Sequence, residues 1–192
     1  MELGINPHLE VITGPMFSGK SEELIRRIKR ARIAGLKTIR FKPIRDTRSG
    51  EAIQSRNGES LEAINITKPK EILALVKPEH ALVGIDEGHF FSADLIPVVL
   101  QLVRQGKRVI VCGLDLDYAE KPFEVMASLM ALAYPIKKLT AVCMKCKREP
   151  ATRSQRLVAD KTRELIGDNE YEPRCLQCYE APIYCLSTSE EE

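Results

Sequence analysis

An α/β fold, a mostly parallel sheet flanked by helices, is predicted by two patterns, and a small C-terminal module by a third. Short apolar runs alternate with helical periodicity as far as Leu139, and a glycine-rich turn joins the first run to the first helix. Beyond Leu139 the helical pattern fades, and five of the six cysteines lie between Cys143 and Cys185. Strands alternating with helices imply crossover units and a parallel sheet, which takes ligands at the carboxyl ends of its strands. The expected organisation is therefore a nucleotide-binding domain over residues 1–139 and a cysteine-bearing module with a tail over 140–192.

The elements follow in order. Residues 9–13, Leu-Glu-Val-Ile-Thr, read as the first strand. Residues 21–34 read as a helix, with Leu24, Ile25, Ile28 and Ile33 on one face and Gly35 as its C-cap. Further strands are expected at 38–41, 61–66, 81–85 and 108–112, and helices at 69–76, 94–104 and 122–132. Residues 42–58 hold Pro, Asp, Ser, Asn and two glycines with little periodicity, which predicts a long loop. The basic run at 26–32 reads as a solvated helix face, with a binding stripe as the alternative. The acidic end, Glu190-Glu191-Glu192, reads as solvated.

Composition narrows the function classes. Of 192 residues, 44% are hydrophobic and 29% charged, the profile of a soluble globular chain. A formal net charge of +2 provides no field for a nucleic-acid or membrane partner. The longest apolar stretch, residues 95–103, falls short of the ~20 residues that span a bilayer. The opening residues are polar, without a charged-then-apolar leader, so a cytoplasmic location with reduced thiols is expected. In that setting the cysteines suggest metal or chemistry before disulfides.

The most specific signal is Gly14-Pro15-Met16-Phe17-Ser18-Gly19-Lys20-Ser21, which fits G-x-x-x-x-G-K-[ST] between a strand and a helix. Backbone N–H groups in such a loop converge on phosphate oxygens, helped by the helix N-terminus. Lys20 is expected to reach the β- and γ-phosphates, and the Ser21 hydroxyl to ligate magnesium. A second acidic site should complete the metal environment. Residues 81–87, Ala-Leu-Val-Gly-Ile-Asp-Glu, form an apolar strand ending in two carboxylates. Asp86 would organise Mg²⁺, and Glu87 would take the proton from whatever attacks the γ-phosphoryl group. Water as nucleophile would make an ATPase or GTPase, and a substrate hydroxyl a kinase. Asp86-Glu87-Gly88-His89 resembles a helicase box, but such motors need two ATPase lobes. The guanine-reading N-K-x-D motif is absent from the sequence. A small-molecule kinase fits these motifs best.

Cys143-Met144-Lys145-Cys146 and Cys175-Leu176-Gln177-Cys178 are two C-x-x-C knuckles separated by 28 residues. Four thiolates so arranged suit a closed, structural Zn²⁺ site, with a redox dithiol as the rival reading. The spacing exceeds the usual ~15–20 residues, so the intervening chain should form a loop of its own. Cys112 reads as a buried small hydrophobe. Cys185 has no evident partner in the sequence.

The chain resembles the small, zinc-containing type II thymidine kinases from Val11 to Tyr179. The resemblance rests on the phosphate loop, Asp46-Thr47-Arg48, Asp86-Glu87-Gly88-His89-Phe90-Phe91, Gly113-Leu114-Asp115, Lys121-Pro122-Phe123, Leu139-Thr140-Ala141-Val142-Cys143, and Tyr171 before Cys175. It implies transfer of the ATP γ-phosphate to the 5′-hydroxyl of thymidine, with Glu87 as the catalytic base. The implied ATP side comprises Gly14, Pro15, Met16, Phe17, Ser18, Gly19, Lys20, Ser21, Asp46, Arg48, Asp86, Glu87, Gly88 and His89. Residues 147–174 are similar to the family's lasso, whose backbone around Arg163, Glu164, Leu165, Ile166 and Gly167 would hydrogen-bond the pyrimidine. Met16, Phe90, Leu114, Tyr118, Ser154 and Tyr171 would complete the thymine pocket. A methylated, flat base suits an apolar slot with aromatic walls. The resemblance also implies Mg²⁺ with ATP, structural Zn²⁺, a homotetramer and feedback inhibition by the thymidine triphosphate.

Four features depart from the family's usual pattern, the first being that a histidine often found in the loop after Asp-Thr-Arg is not evident around Ser55-Arg56-Asn57. Leu116-Asp117-Tyr118 stands where Gly-Thr-Phe is common, so the Tyr118 hydroxyl is expected to change pocket polarity or the ribose contact. Ser154 replaces a usual threonine, and His89 a usual glutamine. All bear on substrate breadth rather than on reaction class. The rival reading is a zinc-ribbon ATPase acting on nucleic acid, which the near-neutral charge and the lack of a basic, aromatic-interleaved patch disfavour.

Overall fold

The computed structural model describes residues 6–46, 52–54, 58 and 60–182. In chain order the elements are β1 (Leu9–Thr13), α1 (Lys20–Ile33), β2 (Thr38–Pro43), β3 (Ala52–Gln54), β4 (Ser60–Glu62), β5 (Ile64–Ile66), α2 (Glu71–Leu75) and β6 (Leu82–Ile85). A 3-10 turn at Gly88–Phe90 precedes α3 (Leu95–Arg104), β7 (Arg108–Gly113), α4 (Glu124–Leu132) and β8 (Ile136–Lys138). The module then holds β9 (Ala141–Val142), β10 (Pro150–Ala151), β11 (Arg153–Arg156) and β12 (Tyr171–Arg174).

Six strands form one sheet in the order β5-β2-β6-β7-β1-β8. Every pairing in it is parallel, with Thr13 opposite Gly113, Ile85 opposite Val111, and Phe41 opposite Ile85. Alternate side chains divide the core between the two faces. Val11, Val83, Ile85, Val109 and Val111 pack against Leu95, Val98, Val99 and Leu102 of α3 and Val125, Met126 and Leu129 of α4. Ile12, Leu82, Ile110 and Cys112 pack against Leu24, Ile25, Ile28 and Ala31 of α1. Both faces are covered, as a parallel sheet requires. Each fully buried Ile or Leu here stabilises the fold by ~1.5–3 kcal/mol relative to exposure. Among the described residues no helix is long and apolar enough to cross a membrane.

The ends of α1 follow from its sequence. Glu22 and Glu23 occupy its first turn and Arg30 and Arg32 its last, complementing the helix dipole. Gly35, at φ 80°, closes it in a Schellman motif: its N–H donates to the Arg32 carbonyl, and the Leu36 N–H to the Ala31 carbonyl. Ile33 departs from expectation and is 87% exposed. Nine residues beyond Leu24 it lies two and a half turns on, on the opposite side of the helix. The basic face is largely solvated, but Arg27 is recruited inward. It joins Arg108 on Glu10, a buried β1 carboxylate that also contacts His8. Burial alone would raise that carboxyl, yet the Arg108 and Arg27 guanidiniums hold it below its ordinary value.

Three expectations are corrected. Residues 61–66 are two strands, β4 and β5, in different sheets, because the chain turns at Ala63. Residues 42–58 are not wholly loop: β2 runs to Pro43, and β3 pairs antiparallel with β4, burying Ile53. Ile136–Lys138 adds an unexpected sixth strand at the sheet edge; all three of its residues are exposed, so no alternation marks it in the sequence.

Parallel strands place all their carboxyl ends on one edge of the sheet. That edge carries the loop after β1, Asp46 after β2, Asp86 and Glu87 after β6, and Leu114 to Asp117 after β7. The C-terminal module adds two antiparallel pairs, β9 with β10 and β11 with β12. The expected 147–174 loop therefore contains strands, and the chain between Arg156 and Tyr171, paired across β11 and β12, forms its arch.

Candidate active site

The phosphate loop begins where only glycine fits. Gly14 has φ 142°, and a Cβ there would lie 2.3 Å from the Leu139 carbonyl oxygen. Leu139 is tied back in turn, its N–H donating to the Thr13 carbonyl at 2.7 Å. The Pro15 carbonyl accepts from Lys20 Nζ at 2.7 Å and from Ser18 Oγ at 2.8 Å, which curls the loop over the start of α1. Lys20 is buried, and desolvation lowers its pKa despite the opposing carboxylates of Glu87, Asp86 and Asp115. A buried ammonium aimed into a loop of this kind favours an anionic ligand.

Across from it stand the two carboxylates at the end of β6. Asp86 is buried and accepts the Glu87 N–H at 2.9 Å. Burial first, then the Glu87 charge, push its carboxyl up to about 6, although hydrogen bonds from Cys112, the Glu87 backbone and Ser21 oppose the shift. The Ser21 hydroxyl and Asp86 thus meet. A desolvated carboxylate beside a second one fits a divalent ion. Glu87 adopts φ 49°, a left-handed conformation unusual for a non-glycine residue, which turns the chain into the following 3-10 turn. His89 packs between Phe90 and Phe123 in tilted contacts, with ring centroids 4.2 Å and 4.8 Å away. Its Nδ1 accepts the Leu114 N–H at 3.2 Å. The same Nδ1 lies 3.5 Å from a Glu87 carboxylate oxygen.

One cavity of about 530 Å³ joins these groups to the module. Met16, Phe17, Ser18, Gly19, Lys20, Ser21, Asp46, Asp86, Glu87 and His89 line its phosphate end. Phe90, Leu114, Tyr118, Ser154, Arg163, Glu164, Leu165, Ile166, Gly167 and Tyr171 line the other. Gly14, Pro15 and Gly88 stand behind the lining; a Cβ on Gly88 would press on Val111 at 2.7 Å. Arg48 lies outside the described residues, as does Cys185. Asp46 is held by Lys42 Nζ at 2.9 Å, both side chains being buried.

The aromatic end is closed by bonds between distant segments. Met16 N–H donates to Ser154 Oγ at 2.9 Å, joining the phosphate loop to β11. Met16, Tyr118 and Tyr171 form a buried cluster with Leu114 and Leu165 packed against it. The Tyr118 hydroxyl donates to the Lys161 carbonyl at 3.1 Å, so the extra oxygen ties down the arch. Tyr171 Oη donates to the Leu165 carbonyl at 2.9 Å. Asp117 accepts Ala119 and Lys121 N–H groups on one oxygen and Arg163 Nε on the other, at 2.8 Å. Arg45 pairs with Glu164 at 2.7 Å, linking the segment beside Asp46 to the arch.

Sequence reasoning assigned no role to Glu22, Gly58, Leu116, Asp117, Phe123 and Asp168, which also line the cavity, or to Arg156. Phe123 lines the cavity, and its motif Lys121-Pro122-Phe123 was the available signal. Asp117 lines it too, where the usual family pattern is broken. Arg156 lies behind it, and nothing local marks it.

The four knuckle cysteines converge. Their sulfurs all lie within 4.8 Å of one another, and Cys146 Sγ and Cys175 Sγ are 3.9 Å apart. A tetrahedron with Zn–S bonds of ~2.3 Å has edges of ~3.8 Å, so the set fits zinc. Burial alone would raise the Cys143 thiol, but backbone N–H groups of Cys146, Cys175 and Lys145 hold it down to about 6. Sharing with Cys175 pushes Cys178 up to about 12, as expected when clustered thiols lack room for four negative charges. Four thiolates leave no open ligand position, which makes the centre structural.

A parallel sheet with a glycine-rich G-x-x-x-x-G-K-S loop after its first strand, an acidic pair facing it and an arch bracketed by paired cysteines over an aromatic slot is the make-up of a P-loop kinase. The family described as thymidine kinase matches residues 7–179. A thymidine kinase of Coprothermobacter proteolyticus is 46% identical over 191 residues, which covers 95% of this chain and 96% of that protein. The chain belongs to the thymidine kinase family.

Proposed function

We propose that the protein transfers the γ-phosphate of ATP, bound with Mg²⁺, to the 5′-hydroxyl of thymidine. The observation that carries this reading is the single cavity in which Lys20, Asp86 and Glu87 share a space with the Met16, Tyr118 and Tyr171 slot. Backbone N–H groups of residues 14–21 cradle the phosphates, and Lys20 offsets charge at the β/γ end. Ser21 and Asp86 would hold Mg²⁺, which would supply positive charge to offset that of the phosphates. Glu87 accepts the 5′-hydroxyl proton. Asp46, and Arg48 by family resemblance, approach the phosphates from the segment after β2. The thymine ring lies in the slot, with the backbone of residues 163–167 reading its polar edge.

The domain division at Leu139 belongs to the same proposal, supported by the end of the parallel sheet at Lys138. The homotetramer, inhibition by the thymidine triphosphate and a cytoplasmic location rest on the family resemblance. The deciding assay is ADP release from ATP–Mg²⁺ with and without thymidine, with DNA as a control. Release should depend on thymidine and ignore DNA; equal turnover without nucleoside would show an ATPase instead.

Zinc is proposed as the structural clip because Cys143–Cys146 and Cys175–Cys178 bracket the whole arch. Purified protein should carry about one zinc per chain. Cys175→Ser, or chelation, should abolish thymidine binding while the α/β core keeps its unfolding midpoint. Metal-free protein of full activity would instead favour a redox pair.

A further inference from the structure

Arg156 is a buried cation whose partners are almost all main chain. It ends β11, 7% exposed, with its guanidinium carbon 3.6 Å from the centroid of the Tyr118 ring and 5.0 Å from that of Tyr171. Nη1 donates to the carbonyls of Asp160, at 2.8 Å, and Thr162. Nη2 donates to the Arg163 carbonyl, at 3.3 Å, and to the Tyr171 hydroxyl. One side chain thus fastens three carbonyls within four residues of the arch, together with two rings of the slot. Arg156 itself does not line the cavity.

We propose that Arg156 is the positioning residue of the base slot: from behind the lining, its guanidinium winds residues 160–163 into their arch and sets the Tyr118 and Tyr171 rings against which the base packs. This rests on the reading that thymidine occupies the slot.

The physical reason lies in the arch itself. The chain between β11 and β12 belongs to no sheet, so side-chain fastenings such as the Arg156 bonds to its carbonyls, rather than a ladder, hold its shape. A planar guanidinium supplies five N–H groups in a fixed fork, and its positive face attracts aromatic rings. An arch ordered before the substrate arrives spares that ordering cost at binding. Tyr118 adds to the winding through the adjacent Lys161 carbonyl. The residue therefore acts on nucleoside affinity, whereas the phosphate loop is built on β1 and α1.

Arg156→Lys keeps the charge but replaces the fork with three donors on one nitrogen, and Arg156→Met keeps only the stem. Both should raise the KM for thymidine by about ten- to a hundredfold, the range for lost hydrogen bonds to a charged group. The KM for ATP and kcat should stay near the parent values, and zinc content and the core's unfolding midpoint should not move. Amide exchange at residues 160–166 should quicken in the nucleoside-free variants and slow again with saturating thymidine. If Arg156→Met does not accumulate folded, Arg156→Lys carries the test alone. Unchanged exchange at 160–166 with unchanged thymidine KM overturns the proposal. So does a parallel rise in both KM values with earlier melting, because that marks a general structural role. A parent protein that ignores thymidine would refute the proposed function; nucleoside-free exchange still reports whether Arg156 winds the arch.

Discussion

Glu87→Gln should bind ATP and thymidine as the parent does and transfer phosphate ~10²–10⁴-fold more slowly, the range for loss of a general base. The amide keeps the size and much of the hydrogen bonding of the carboxylate but cannot accept the 5′-hydroxyl proton. Placement supports the assignment: Glu87 is nearly buried, lines the cavity and is turned into it by its left-handed backbone at the end of β6. Its nearest rival is weaker. Nδ1 of His89 is occupied by the Leu114 N–H, and its ring is packed among phenylalanines. Phosphoryl transfer can run through a loose transition state that needs little early proton removal, so binding and turnover must be separated. Single-turnover rates at saturating substrate do this. Transfer at the parent rate would pass the role to another group or to solvent. Asp86→Asn should differ, weakening the Mg²⁺ requirement's midpoint so that added Mg²⁺ partly restores activity.

Lys20→Ala should cut kcat/KM for ATP by at least ~10²–10³-fold, comparable with removing one preorganised donor from a developing negative charge. The structure makes the loss more than a missing contact. Lys20 is the buried cation facing Asp86 and Glu87, and its Nζ holds the Pro15 carbonyl. Without it, two neighbouring carboxylates confront the phosphates with no lysine ammonium between them. Thymidine binding should survive, because Ser154 still anchors Met16 and the slot is built from other elements. Equilibrium binding of each substrate, measured separately from turnover, checks both halves. Near-parental use of ATP by this variant would show that the loop is not the phosphate site.

The parts legible in the sequence share one property: their chemistry is local. A phosphate cradle needs glycines, a lysine and a hydroxyl within one turn of chain, so residues 14–21 declare themselves. Paired cysteines two residues apart declare a metal knuckle in the same way, and the structure brings the two knuckles to one point. The acidic pair was legible because an apolar strand ended on it. Elements failed where the local signal was thin. β8 is three exposed residues, and β3 with β4 is a short hairpin burying Ile53. Ile33 was assigned to the buried face by its apolarity, against the helical angle that exposes it.

The order of strands and helices, the phosphate loop, the acidic pair and the metal clip thus follow from residue types at short, fixed spacing. The slot does not. Tyr118 meets Lys161 across 43 positions, Asp117 meets Arg163 across 46, and Met16 meets Ser154 across 138. Arg156 and Asp117 are ordinary charged residues in sequence; they become the fastenings of the arch only when β11, the turn after β7 and the clipped cysteines are brought together. Composition and periodicity report what a segment buries or exposes. Which distant group it meets is set by packing, because a buried donor must find whatever acceptor the folded chain puts within reach.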